Sequence, residues 1–339
     1  MSLVWYDADT INDLIVSSRI RLARNVSLEG FIIKDLKKAK ELTLNVSKIL
    51  NRNNNFKLYN MRELDELSIG CLVEQHYISP KLAQNIQTGA VLISADKEIS
   101  IMINEEDQIR EQCIMSGFKL VECYKRLNAI DNTLSKQLDF VFDKKLGYLT
   151  ACPSNVGTGM RASVMMFLPA LTESGQMPAV VDKANELGLA IRGVYGEGSS
   201  ADCYMYQISN EVTLGISEDE IIKGVTETVN RISDAEIKTR KTIYANNPLQ
   251  VKDKCKRAYG ILTNCVLLNY EEFLKLITLV KLGVTLGIFS FEDKYVIDDI
   301  ILNAAPNCIS KQYDALSPTE ENMYRAEYVS NKLKNITLR

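Results

Sequence analysis

The chain has 339 residues, which is enough for one large domain or two ordinary ones. Hydrophobic residues make up 46% and charged residues 24%, with 17 Gly and 7 Pro, so collagen-like, low-complexity and disordered classes are excluded. The formal net charge of -3 provides no overall basic field, so we expect no direct nucleic-acid partner.

Several common kinds of site are also excluded. The first residues lack a basic region followed by an apolar one, and no stretch approaches about 18 uninterrupted apolar residues, so we expect a cytoplasmic protein with no membrane partner. The 8 cysteines include no Cys-x-x-Cys pair, which favours reduced thiols over a zinc ribbon. A single histidine, His76, leaves no basis for a multi-histidine metal site, and no metal-binding residues are predicted. Neither a Walker A loop nor the His-Arg-Asp and Asp-Phe-Gly motifs of protein kinases occur.

The first predicted strand carries two arginines. Arg19 and Arg21 alternate with Ile20 and Leu22, so on a strand both guanidinium groups point the same way. Two guanidinium groups on one face suit a polyphosphate, because Arg binds phosphate oxygens bidentately. A solvated strand edge is the alternative.

An acidic cluster follows the next predicted strands. The cluster is Glu105-Glu106-Asp107, directly after an apolar run, and Arg110 comes three residues later. A solvated turn would explain it. The functional interpretation is that one carboxylate is held against a cationic substrate and that Arg110 binds phosphate.

Strands and helices then alternate. Apolar positions at helical spacing predict a helix over residues 119–138, and a capping box of Ser217 and Glu220 predicts another over about 218–240. Apolar runs on either side of polar turns predict hairpins at residues 91–103, 139–151 and 203–216. Together with the predicted helices, these hairpins indicate an α+β fold with an antiparallel sheet flanked by helices.

The least ordinary segment runs from Cys152 to Arg161. Pro153, Gly157 and Gly159 bracket small polar residues, so backbone amides and Arg161 can converge on an anion. A plain glycine-containing turn and a buried, unreactive Cys152 are the alternatives.

After Asn246-Asn247-Pro248 the pattern becomes helical. We expect a catalytic domain over 1–247 and a helical C-terminal domain over 248–339 that serves dimerisation or substrate docking. Ser317, Pro318 and Glu320 supply an N-cap, a first-turn proline and a capping glutamate for the last helix.

Four motifs in this order resemble the ATP:guanido phosphotransferases, the phosphagen kinases. They span about residues 10–245 and read SSRIRLARN, NEED-x-x-R, CPSN-x-GTG-x-R and RG-x-x-GEG. The resemblance implies the phosphagen-kinase catalytic fold and the use of ATP and Mg²⁺.

The resemblance also implies roles for matching residues. It gives a catalytic role to Glu106, Glu197 and Cys152. It gives nucleotide binding to Ser17, Ser18, Arg19, Ile20, Arg21, His76, Arg110, Arg161, Ala162, Ser163, Val164, Met165, Arg192, Gly193, Val194, Tyr195, Gly196 and Glu197. One departure is Gln108, which replaces a usual histidine and puts nucleotide affinity or rate in question.

Within the family the chain is most similar to bacterial protein-arginine kinases, because the N-terminal helical domain of small-molecule members is missing and a C-terminal helical domain is present. The implied function is transfer of the ATP γ-phosphoryl group to arginine side chains of proteins, which marks them for regulated degradation in stress. A kinase of free arginine or another small guanidino compound, and a non-catalytic homologue that binds nucleotide or proteins, are the alternatives.

The same resemblance implies partners. They are proteins with exposed Arg, a zinc-finger activator (McsA), the repressor CtsR, the ClpC-ClpP protease and a second copy of the chain. Relatives that sense phosphoarginine carry an Arg-Asp-x-x-Arg-Ala motif in the C-terminal domain. The aligned stretch here runs from Glu321 and Asn322 to Arg325 and Ala326, so only its second half matches.

Overall fold

The computed structural model describes residues 13–26, 30–51, 55–193, 203–290, 295–314 and 317–334, together with the backbone of 337–338. Its centre is an eight-stranded antiparallel sheet with the strand order β2-β3-β4-β5-β1-β8-β10-β9. These strands are β1 Ile15–Arg24, β2 Phe56–Asn60, β3 Ala90–Ser94, β4 Ile99–Ile103, β5 Ile109–Ser116, β8 Met160–Phe167, β9 Leu189–Gly193 and β10 Met205–Asn210.

One face of this sheet is covered by long helices. They are α1 Leu36–Leu50, α4 Leu120–Ser135 and α7 Glu218–Asn246. Their apolar stripes pack on the inward side chains of the central strands, such as Ile20, Leu22 and Val164, all of which are buried. Helix α7 begins with the predicted capping box, in which Ser217 and Glu220 bond each other's backbone amides.

The opposite face is only partly covered. Helices α2 Glu66–Glu74 and α3 Pro80–Gln84 lie over the β2–β4 end, where Met61, Leu82 and Val91 form a small apolar cluster. Helices α5 Pro169–Glu173 and α6 Met177–Glu186 connect β8 to β9 and belong to the helix-covered face, because Leu171, Met177 and Ala184 join its apolar core. The middle of the opposite face, over β1, β5 and β8, carries polar and charged side chains.

The C-terminal region is helical. It contains α8 Pro248–Asn264, α9 Tyr270–Thr285, α10 Val296–Asn303, α11 Pro306–Tyr313 and α12 Pro318–Leu333, with a small sheet of β11 Phe289–Ser290 and β12 Thr337–Leu338. Its apolar core also includes Phe167 and Met205 from the sheet and Tyr244 from α7, so the C-terminal helices pack directly on the rest of the chain. No helix in the described part of the chain is both long and apolar enough to cross a bilayer.

The α+β prediction, the hairpin at 91–103 and the helix at 119–138 are confirmed. The hairpin predicted over 203–216 is wrong. Only β10 forms there, because its two neighbours in the sheet are the distant strands β8 and β9, and the Asn210 side chain bonds the backbone of β8. The pattern at 139–151 forms a separate short hairpin, β6 Phe142–Asp143 with β7 Gly147–Tyr148, rather than part of the main sheet.

Candidate active site

Five arginines share the open face of the sheet. The register places Arg21 opposite Arg161 on one side and Gln112 on the other, and it places Arg19 opposite Ser163. Since paired residues in neighbouring strands point to the same face, the arginines of β1, β5, β8 and β9 project from one surface. The five are Arg19, Arg21, Arg110, Arg161 and Arg192, and all of them were predicted.

Burial and mutual repulsion make the charged state of two of these arginines unfavourable. Burial and the neighbouring charges of Arg110 and Arg161 lower the pKa of Arg19 to about 9, although Glu105 opposes this. The pKa of Arg21 is lowered well below its ordinary value by burial and by the same group of guanidinium charges. The buried Nε atoms of Arg19 and Arg21 have no hydrogen-bond partner among the described residues. Unpaired donors and mutual repulsion are the features of a surface that requires an anion.

Gln112 joins this cluster to His76. Arg19 donates to the Gln112 side-chain oxygen, and the Gln112 amide donates to the His76 carbonyl at 2.7 Å and to Ser100 Oγ at 3.0 Å. His76 follows α2 with a backbone φ of 61°, in the left-handed region. The ring is open to solvent through a cavity, yet the surrounding protein and the charge of Arg19 lower the pKa of His76 to about 4. The imidazole is therefore neutral at physiological pH.

The acidic cluster after β4 has two distinct roles. Glu105 is buried, and its carboxylate accepts from Arg110 at 2.6 Å, Ser79 at 2.5 Å and the backbone amide of Glu106 at 2.9 Å. Burial raises the pKa of Glu105, but Arg110 and these hydrogen bonds outweigh that effect and the net pKa is lowered. Glu105 thus holds Arg110 in place as a permanent counter-ion.

Glu106 is the accessible carboxylate of that cluster. It forms ion pairs with Lys81 at 3.3 Å and with Arg110 at 3.8 Å, and its side chain is 27% exposed. Lys81 is 50% exposed, so this contact is a surface ion pair that costs little to break. The carboxylate can therefore receive a different cation, such as a guanidinium group.

The Cys152 segment is held beside the acidic cluster by Asp107. The buried Asp107 carboxylate accepts from the Ala151 amide at 2.7 Å and from the Asn25 side chain at 2.8 Å. Cys152 itself is half-buried, and its Sγ lies 3.0 Å from Ser154 Oγ. The thiol is thus partly accessible, unlike the inert core cysteine that was the alternative interpretation.

Glycines allow the same segment to lie against the sheet. At Gly157, which has a φ of 115°, an added Cβ would be only 2.1 Å from the Thr213 carbonyl oxygen. Arg24 holds the end of this segment in place, because it donates to the Thr158 carbonyl at 3.0 Å. Arg24 is itself fixed by a bidentate pair with Asp131 and by the Tyr148 ring, whose centroid lies 3.6 Å from the guanidinium carbon.

Gln108 does not face the arginines. Its side chain is fully buried, accepts from the Val26 amide at 2.8 Å and donates to the Gly30 carbonyl at 2.8 Å. The residue therefore supports the backbone that follows β1. At this position an amide can both accept and donate without carrying a charge into the buried surroundings.

A cavity of about 390 Å³ adjoins the arginine cluster. It lies between the sheet and the C-terminal helices, and its lining includes Ser17, His76, Met165, Met205, Ile301 and Leu302. The cavity thus offers apolar side chains together with polar ones, which include Asp298 and Asp299, next to the cationic face.

Not every predicted residue reaches this site. Ser18, Ile20, Ala162 and Val164 are fully buried on the helix-covered face of the sheet, so only their backbone can border the site. Ser163 and Gly193 lie on site strands, whereas Val194, Tyr195, Gly196 and Glu197 lie outside the described residues. The roles of Gln112, Ser79, Lys81 and Asp107 were not predicted, because each depends on a neighbour distant in sequence.

Arg325 of the partial C-terminal motif is fully buried and saturated. It donates to the Ala304 carbonyl at 2.8 Å, to the Leu268 carbonyl at 3.0 Å and to Asn322 at 2.9 Å, and it pairs with Glu321.

Two family models match the chain. The model of the ATP:guanido phosphotransferase C-terminal catalytic domain matches residues 37–239, and the model of the protein-arginine kinase McsB C-terminal domain matches residues 248–338.

Curated relatives match over nearly the whole chain. The protein-arginine kinase of Caldanaerobacter subterraneus subsp. tengcongensis is 43% identical over 329 residues, which cover 95% of this chain and 97% of the relative. That of Clostridium tetani is 39% identical over 327 residues and covers 96% of each.

Solved structures with a similar fold are phosphagen kinases. The duplicated taurocyamine kinase from Schistosoma mansoni, with bound transition-state-analogue components, matches with a TM-score of 0.63 and 25% identity over 78% of this chain and 40% of that one. A lombricine kinase matches with a TM-score of 0.57 and 26% identity over 68% of this chain and 67% of that one.

Proposed function

This chain belongs to the ATP:guanido phosphotransferase family, and from that premise we propose that it transfers the γ-phosphoryl group of ATP to arginine side chains of proteins. The observation that carries the proposal is the set of five arginines on one sheet face, two of which have buried Nε donors without partners among the described residues. A triphosphate would supply the missing acceptors and offset the burial and mutual repulsion that lower the pKa of Arg19 and Arg21.

Mg²⁺ enters this proposal as part of the substrate MgATP. In the described part of the chain, no three His, Cys, Asp or Glu side chains are grouped to hold a metal ion. Mg²⁺ commonly binds through substrate phosphates with few protein ligands, which fits a face lined by guanidinium groups. The adjoining cavity with the neutral His76 is suited to the uncharged nucleoside part.

Phosphoryl transfer then depends on position and charge compensation. The transition state spreads charge over the phosphoryl oxygens, and preorganised arginines stabilise it without rearranging. Glu105 keeps Arg110 aligned, and Gln112 does the same for Arg19.

The acceptor guanidinium needs carboxylates. It is protonated, with a pKa above about 12, and becomes a nucleophile only when it is oriented and loses a proton. We propose that Glu106 exchanges Lys81 for the substrate guanidinium and accepts that proton. The family resemblance gives Glu197 the role of the second catalytic carboxylate. Cys152 faces the same guanidinium, so Cys152→Ser should reduce activity several-fold and remove inhibition by thiol alkylation.

The test is mass spectrometry for phosphoarginine. A casein-like protein and free arginine are incubated separately with the enzyme, ATP and Mg²⁺, and we expect phosphoarginine only in the protein. Glu106→Gln should lower turnover by about 10²–10⁴-fold with ATP binding retained. Phosphorylation of free arginine alone would contradict the substrate class, and unchanged turnover of Glu106→Gln would contradict the assigned base.

The remaining proposals concern organisation. We propose a cytoplasmic enzyme with a catalytic domain over 1–247 and a helical domain over 248–339, acting in stress with McsA, CtsR and ClpC-ClpP; the support for these partners is the family resemblance. Val266 and Leu267 are 76% and 54% exposed, which supports a homodimer contact on the helical domain. Light scattering that gives a monomer for the full chain would contradict the dimer.

A further inference from the structure

A helix of the catalytic region and a helix of the C-terminal region pack closely together beside the cavity. Helix α2 packs on α11, and a Cβ added at Gly70 would lie 2.5 Å from the Asn307 side chain. Glu74 accepts from the Asn307 and Cys308 amides at 3.0 Å each, at the start of α11. Gln75 donates to Asn303 at 3.0 Å. A larger residue at position 70 would displace the Asn307 side chain.

This contact brings two thiols together. Cys71 Sγ lies 2.7 Å from Cys308 Sγ, although the residues are 237 positions apart in the sequence. No disulfide joins them in this structure; Cys71 is partly exposed and Cys308 is 5% exposed. Because the two sulfur atoms already lie this close, bond formation requires only a small further approach of the side chains. We propose that Cys71 and Cys308 are a site of oxidative modification, at which a hydroperoxide closes a disulfide between the catalytic region and the C-terminal helices.

The two thiols are suited to different steps. A hydrogen bond from Cys308 and the charge of Lys311 lower the pKa of Cys71 against the opposing effect of burial. The hydrogen bond to Cys71, burial and Glu74 raise the pKa of Cys308. Cys71 is thus the nucleophile toward the oxidant, and the less accessible Cys308 resolves the product.

The reaction balances with one hydroperoxide. The Cys71 thiolate attacks the peroxide oxygen, the O–O bond breaks to give Cys71 sulfenic acid, and the leaving alkoxide takes the thiol proton to become an alcohol. Cys308 sulfur then attacks the sulfenic sulfur and water leaves with the Cys308 proton. Two thiols are oxidised and one hydroperoxide is reduced to an alcohol and water.

The position of the bond links it to the cavity. Helix α2 leads into Gln75 and His76, and α11 follows α10, which contributes Ile301 and Leu302 to the opposite wall. A disulfide fixes these two walls to each other. We expect the KM for ATP to change at least threefold on oxidation and to return with a dithiol reductant; this readout rests on the proposed function, whereas the crosslink itself does not.

The experiment treats the full-length Cys152→Ser protein with a small excess of hydrogen peroxide, so that the exposed thiol of Cys152 cannot contribute. Peptide mapping without reduction should find Cys71 linked to Cys308, with the loss of two titratable thiols. Cys71→Ser and Cys308→Ser should each abolish the crosslink, and the matched control Cys265→Ser should retain it. The linked protein should also melt roughly 5 °C higher or more, because the bond closes a very long loop.

Two results would overturn the proposal. One is Cys71 oxidised to sulfinic acid or joined to an added thiol while Cys308 stays free. The other is preferential linkage of Cys113 and Cys123, a pair that is fully buried beneath the sheet and that we expect to stay reduced.

Discussion

Two sets of buried arginines in this protein behave in opposite ways. Arg19 and Arg21 lie on the open sheet face with Nε donors that have no partner among the described residues, and their neighbours are other cations. Arg325 is fully buried and bonds two backbone carbonyls, Asn322 and Glu321. A guanidinium that the fold satisfies contributes to stability, whereas one that the fold leaves unsatisfied is available to a ligand.

The largest expected effect is the loss of activity when an arginine of the open sheet face is replaced. Arg21→Met should lower kcat/KM for ATP by about 10³–10⁵-fold, as for other arginines that stabilise a phosphoryl transition state. Its free energy of unfolding should not fall, because the substitution removes like-charge repulsion. Steady-state kinetics and urea denaturation measure both quantities, with the exposed Arg62→Met as control. A large loss of stability would show that Arg21 is structural.

The converse substitution should affect stability. Arg325→Met leaves the Ala304 and Leu268 carbonyls and the Glu321 carboxylate without their donor, so we expect a loss of about 3 kcal/mol in the free energy of unfolding. The exposed Arg257→Met should change it by less than about 0.5 kcal/mol. Equal denaturation midpoints for the two variants would contradict the structural role of Arg325.

A third experiment asks whether Arg325 can be freed to bind an anion. Glu321 and Asn322 occupy its donors, so free phosphoarginine should neither bind the C-terminal domain tightly nor stimulate the enzyme. The double change Glu321→Arg with Asn322→Asp removes the Glu321 carboxylate from Arg325, adds a cation and supplies a carboxylate for the guanidinium end of the ligand, and it should raise affinity at least tenfold. Micromolar binding to the unmodified protein in calorimetry would show that other residues recognise phosphoarginine.

The smallest effect concerns His76, the only histidine in the chain, so its imidazole resonances can be assigned in an NMR titration without ambiguity. We expect it to titrate near pH 4. The unfolded chain takes up this proton near pH 6.5, so the ring reduces stability progressively as the pH falls from about 6.5 to about 4 and has no effect above that window. MgATP should raise the pKa, because phosphate compensates the charge of Arg19. An unchanged pKa would place the triphosphate away from Arg19.

Local patterns in the sequence predicted much of the fold. The period of apolar residues indicated α4, and the Ser217–Glu220 capping box indicated the start of α7, because both signals depend on residues within a turn or two. The 203–216 hairpin was wrong because pairing with β8 and β9 is a tertiary choice that alternation cannot reveal.

The site residues likewise divide into those that a sequence motif predicts and those that only tertiary contacts bring into place. Strand alternation placed Arg19 and Arg21 on one face, and the family motifs supplied Arg110, Arg161 and Arg192. The Asp107–Ala151 bond, the Gln112 bridge and the Cys71–Cys308 contact join segments between 36 and 237 residues apart, so no local signal could have predicted them.

The central position of β1 has a consequence for how this protein is made. β1 is the first described strand, yet it pairs with β5 and β8, whose residues follow it by roughly a hundred or more positions. During synthesis at about 5–20 residues per second, the strand with Arg19 and Arg21 leaves the ribosome many seconds before β8 exists to flank it. Because such distant pairings form late, β1 becomes part of the sheet only when β5 and β8 are available to pair with it. Arg19 and Arg21 are thus translated well before the strands that flank them and are fixed in position late in folding.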